Sequence, residues 1–72
     1  GDMPHAISAL EHAFTLAPNN PDISYSLAQW YAGEENYAQA LFYARNLARL
    51  VPSNQQVQQF IQQLEMMNSI GK

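Results

Sequence analysis

Two hinge-like stretches constrain this chain more than any other feature: LAPNNPD at residues 16–22 and LVPSN at residues 50–54. Proline lacks a backbone N–H and biases the residue before it away from the α region, so it ends a helix, yet it fits the first turn of the next one. The first stretch therefore predicts a helix stopping near Pro18 and another starting at Pro21, with Asn20 as N-cap and Asp22 favoured by the helix dipole. Pro18 and Pro52 stand 34 residues apart. The same offset pairs Ala6 with Ala40, Leu16 with Leu50, Asn20 with Asn54, Ile23 with Val57, Leu27 with Ile61 and Trp30 with Leu64. Literal identity is low: only Ala6, Leu16, Pro18, Asn20 and Gln29 meet the same residue. These agreements fall on core, cap and breaker positions, where a structural repeat concentrates them.

Between the hinges the apolar residues keep helical time. Ile7, Leu10, Ala13, Phe14 and Leu16 share a broad side of a first segment from about Met3 to Ala17, with Asp2 as its cap and Pro4 tolerable in its first turn. Ile23, Leu27, Trp30 and Tyr31 mark a second, from Pro21 to about Ala32. After a turn at Gly33 to Asn36, with Asn36 as the next cap, Ala40, Leu41, Ala44, Leu47, Ala48 and Leu50 mark a third, from Tyr37 to about Val51. Beyond Pro52 and a cap at Ser53 or Asn54, QQVQQFIQQLEMM sets Val57, Phe60, Ile61 and Leu64 on one face. No β-alternation of useful length occurs. Connections this short favour antiparallel neighbours, so the expectation is an all-α stack of helix hairpins.

At 72 residues the chain is one small domain, and without cysteine it has neither disulfides nor a thiolate metal site to support a small core. Its net charge is −3, with Arg45, Arg49 and Lys72 the only basic side chains, which argues against nucleic acid and anionic membranes as partners. No apolar run is long enough to span a bilayer.

A helix–turn–helix unit recurring every 34 residues resembles the tetratricopeptide repeat family. Leu27-Ala28-x-x-Tyr31, Ala40 and Pro52 stand at that family's mutual spacings, and Tyr37 with Ala40 resembles the start of its second helix, as do Met3 and Ala6 one repeat earlier. Departures are Ser24 where a tryptophan is common, Ala44 in place of an aromatic, and Glu35 where the turn glycine is usual, with Gly33 two residues earlier. Trp30 is a candidate to fill the volume that Ser24 leaves. The resemblance implies an α-solenoid in which residues 2–17 are the second helix of an incomplete repeat, 21–51 are one complete repeat, and 54–68 form a C-terminal capping helix. Ser24, Ala28 and Tyr31, which meet their own second helix, correspond to Gln58, Gln62 and Glu65; burying those without partners would cost about 1–3 kcal/mol each, as suits a polar terminal cap. The chain is thus expected to be the C-terminal piece of a longer array.

The family binds extended peptides or partner helices in the concave groove lined by its first helices. By position, that lining is Asp22, Tyr25, Gln29 and Ala32, then Gln56, Gln59, Gln63 and Met66. No basic residue stands among them, so a clamp for a C-terminal carboxylate is absent from this surface. Tyr25 is the expected anchor. The implied function is non-catalytic protein–protein interaction or assembly scaffolding, with a protein or peptide partner and no cofactor. The alternatives are homo-oligomerisation and a regulatory region appended to an enzyme elsewhere in a parent chain.

Other constellations point to no chemistry. His5 and His12 sit two turns apart, about 10 Å along the axis, too far for one metal ion. Glu34 and Glu35 share a turn without a nucleophile or metal ligand nearby. Arg45 and Arg49 read as a solvated outer face complementing the helix C-terminus, with the grip of an acidic partner as the functional alternative. The aromatic residues, without basic interleaving, read as packing rather than a base-stacking platform. Met3, Ile7, Leu10 and Phe14 cover more than one face of the first helix, so self-association through that helix is expected. Light scattering after size-exclusion chromatography should show a mass that rises with concentration; a stable monomer at high concentration would count against it.

Overall fold

The computed structural model describes residues 3–70, with side chains from Ile7 onward. The Asp2 cap and the side chains of Met3, Pro4, His5 and Ala6 lie outside the described residues. Four helices follow one another: α1 (Met3–Leu16), α2 (Pro21–Gly33), α3 (Tyr37–Leu50) and α4 (Gln55–Ile70). No strand occurs among the described residues. Each helix packs on the next in chain order, α1 on α2, α2 on α3 and α3 on α4.

The polar residues of the hinges make the breaks. Asn20 Oδ1 accepts from the Asp22 amide at 3.0 Å, with Pro21 in the first turn of α2. Asn36 Oδ1 accepts from Gln39 N at 3.5 Å. Of the two candidates before α4, Asn54 is the cap: its Oδ1 accepts from Gln56 N at 2.9 Å and Val57 N at 3.2 Å, satisfying two amides that lack helical partners. The end of α4 runs to Ile70, two residues past the expected boundary.

Leu27, Ala28, Ala40 and Ala44 are completely buried where α2 meets α3. Three of these four are alanines, which let two backbones approach closely without a side-chain entropy cost. Ile7 from α1 and Leu64 from α4 join the same cluster. Ser24, also fully buried, is hydrogen-bonded rather than orphaned. Asn46 on α3 donates through Nδ2 to Ser24 Oγ at 2.9 Å and to the Pro18 carbonyl at 2.9 Å. Asn46 is therefore the polar neighbour of Ser24. Trp30 lies half-buried, edge-on to Tyr31 at 5.2 Å.

The turn between α2 and α3 is a Schellman motif. Asn36 N donates to Tyr31 O at 2.9 Å and Glu35 N to Ala32 O at 3.1 Å. This places Glu35 at the left-handed position with φ 61°. Glycine is the usual residue there because a Cβ costs about 1–2 kcal/mol in that conformation. The turn's own glycine, Gly33, has no positive φ, and a Cβ on it would meet nothing within 4 Å. Two substitutions should therefore stabilise the fold: Glu35→Gly by relieving strain, and Gly33→Ala by cutting unfolded-state entropy, each by about 0.5–1 kcal/mol. Thermal melts followed by circular dichroism should show each midpoint rising by about 2–8 °C; a fall for Glu35→Gly would contradict the strain assignment.

Candidate functional site

Because α2 and α4 both pack on α3, a groove opens between them, with a volume of about 550 Å³. Leu47 of α3, Val51 at its C-cap and Val57 of α4 make its apolar floor. Tyr25 from α2 and Phe60 from α4 contribute rings 6.3 Å apart, inclined at 63°. Asp22, Asn54 and Gln56 bring polar groups to the same groove, and Asp22 is its one charged lining residue. The local structure explains this clustering. Asp22 and Gln56 each follow a capping asparagine by two residues, so the repeat places both on the first turn of their helices.

Of the positions expected on the concave face, the groove gathers Asp22, Tyr25 and Gln56. Gln29 stands one turn beyond Tyr25 and donates from Nε2 to its hydroxyl oxygen at 2.7 Å. That bond occupies the phenol as acceptor and leaves its O–H available as a donor. Gln59 and Gln63 are exposed on α4 but do not line the groove. Met66, further along α4, is 62 % exposed.

Phe60 is the groove residue that the repeat pattern hides. Its counterpart at the 34-residue offset is Ser26, so position matching offers no hint. The available signal was the width of the apolar face on α4: Val57, Phe60, Ile61 and Leu64 span more than α3 alone can cover, and the residue at its edge turns toward Tyr25. Val57 and Leu64 take the buried seats, while Phe60 and Ile61 are half-buried.

Among the residues of α1 with described side chains, Ile7 is buried in the core cluster, and Leu10 and Phe14 are half-buried against it. Phe14 meets Tyr43 edge-on at 5.0 Å. Tyr43 in turn stacks on Tyr31 at 5.8 Å, the ring planes only 6° apart. The Tyr31 hydroxyl donates to Glu11 Oε2 at 2.6 Å, which links α2 to α1. That hydrogen bond to a carboxylate, reinforced by burial and by the negative charge of Glu11, pushes the Tyr31 phenol up to about 12. Burial, then the charge of Glu11, raises Tyr43 as well.

Glu34, Glu35 and His12 are exposed and stand outside this groove. No group of three or more His, Cys, Asp or Glu that could hold a metal ion occurs among the described residues. No helix among them is long and apolar enough to cross a membrane.

Stacked antiparallel hairpins, caps recurring at 34 residues, and a groove between alternate helices define a helical-repeat protein. A family model described as tetratricopeptide repeat matches residues 1–64. The chain belongs to the tetratricopeptide repeat family, whose repeats generally mediate protein–protein interaction. Searches of curated proteins and of solved structures returned no match.

The Tyr31 phenol gives the α1–α2 junction an alkaline limit. With its folded value raised above the ordinary value of 10, Tyr31 contributes stability that is complete below pH 10 and withdrawn as the pH rises through about 12. Unfolding free energies of the wild type from urea titrations should fall across that window, and those of Tyr31→Phe should fall less while starting lower at neutral pH by about 0.5–1.5 kcal/mol. Parallel pH curves for the two proteins would contradict the Tyr31–Glu11 link.

Proposed function

We propose that the chain is a non-catalytic module for protein–protein interaction or scaffolding, and that it seats an extended peptide or a partner helix in the groove between α2 and α4. The paired rings of Tyr25 and Phe60 over an apolar floor carry this reading. An aliphatic or aromatic side chain lowered between them would gain about 1.5–3 kcal/mol from burial. The free O–H of Tyr25 and the side chains of Asn54 and Gln56 suit the backbone amides on either side of such an anchor. With Asp22 as the lining charge, the groove offers nothing to hold a terminal carboxylate. Chemistry at this site is not part of the reading, because its polar groups flank an apolar floor rather than converging on a reacting atom.

The binding test is capture of partners by the full-length protein in four versions: wild type, Tyr25→Ala, Gln56→Ala and Gln59→Ala. Recovery should fall about tenfold or more with Tyr25→Ala, as for an aromatic hot spot, and less with Gln56→Ala. Gln59→Ala, outside the groove, should leave it unchanged. Equal recovery from all four would remove this groove as the binding site.

A further inference from the structure

A second surface lies on the side of α3 turned away from the groove. Ala38, Phe42, Arg45 and Arg49 recur at four, three and four residues and so form one stripe. Together with Asn46 they line an open depression of about 510 Å³. On the helical wheel this stripe stands about 180° from Leu47, which floors the groove. Phe42 is 57 % exposed. Its ring is nevertheless braced, edge-on to Phe14 at 6.3 Å and to Tyr43 at 5.1 Å. A braced aromatic ring presents apolar area without much rotamer freedom left to lose on binding.

The charge around this ring is unlike the rest of the molecule. Arg45 and Arg49 are the only lysine or arginine among the described residues of a chain whose net charge is −3. Arg49 is steadied by its Nη2 donating to Asn46 Oδ1 at 2.9 Å and reaching Asn19 Oδ1 at 3.5 Å. Arg45 Nη2 meets Glu65 Oε2 of α4 at 3.1 Å, with both side chains more than half exposed, at 62 % and 51 %. An ion pair so open to water holds weakly. Another carboxylate can replace Glu65 there at little cost.

We propose that this stripe is a docking surface for an acidic protein segment, an aromatic or aliphatic side chain lying on Phe42 with carboxylates on either side reaching Arg45 and Arg49. Glu65 is then an internal stand-in for one carboxylate of the partner, holding Arg45 in place until it is displaced. An acidic peptide suits the site better than a nucleic acid. Two cations match a few carboxylates, whereas a phosphate backbone running beyond them would meet a surface with an excess of acidic groups.

Fluorescence anisotropy on the full-length protein tests this with a labelled short peptide carrying a central phenylalanine flanked on both sides by aspartate and glutamate. The same peptide with asparagine and glutamine is the neutral arm, and a labelled oligouridine is the nucleic-acid arm. The acidic peptide should bind, weaken with added salt, and outcompete the neutral one by about tenfold. Phe42→Ala and Arg49→Gln should each weaken it by about three- to tenfold, and Tyr25→Ala should leave it unchanged. Glu65→Gln should tighten it by about two- to fivefold, because the internal competitor is gone. Helical circular dichroism shows that each variant is folded. Absence of acidic-peptide binding, equal binding of the neutral peptide, preference for the oligouridine, insensitivity to Arg49→Gln, or weakening by Glu65→Gln would each overturn the proposal.

Discussion

The closeness of α2 to α3 sets the rest of the architecture. Ala28, Ala40 and Ala44 are fully buried at that seam, so the two backbones can approach until Leu27 is sealed and Ser24 comes within reach of Asn46. Alanine at these positions is a geometric instruction: a larger residue would push the helices apart, and overpacked cores pay in strain and displaced backbone. With α2 held close to α3 on one flank and α4 on another, the space between α2 and α4 is left open as a groove. The groove is thus a by-product of how tightly its supporting helix is gripped.

Polar residues carry a share of the folding instruction that hydrophobicity could not. Three asparagines, at 20, 36 and 54, close the starts of three helices by accepting from their first free amides. In a chain of this length each helix is too short to persist alone, and capping together with tertiary packing decides whether it forms. The left-handed Glu35 shows the opposite tendency. There the turn geometry is imposed on an unfavourable residue by the hairpin on either side of it.

Most of the fold was legible in the sequence because its signals are local. Proline positions, asparagine caps and 3.6-residue periodicity each depend on a few neighbouring residues, and the 34-residue recurrence supplied the relation between distant ones. The candidate site was legible where it repeats that local pattern, as at Asp22 and Gln56, and at Tyr25 beside them. It was not legible where side chains from different elements meet without a counterpart in the other repeat. Phe60 facing Tyr25 is such a case, and so is Tyr31 reaching back to Glu11. In both, the partner is chosen by the angle between helices, a quantity that no single window of sequence encodes. Ser24 is a third case: its hydroxyl is met by the Asn46 amide of α3, a pairing that no spacing in the sequence signals.

That amide has a consequence for shape. Asn46 grips the Pro18 carbonyl, in the linker before α2, and the Ser24 hydroxyl, inside it, with one side-chain nitrogen. Hydrogen bonds tolerate far less misdirection than apolar contacts do. The pitch at which α1 departs from the following hairpin is accordingly indexed by directional bonds, this clasp and the Tyr31–Glu11 hydrogen bond, as well as by the softer fit of side-chain surfaces. A helical array built this way has its curvature written at its joints, and a change at one such joint would re-aim everything beyond it while leaving each hairpin whole.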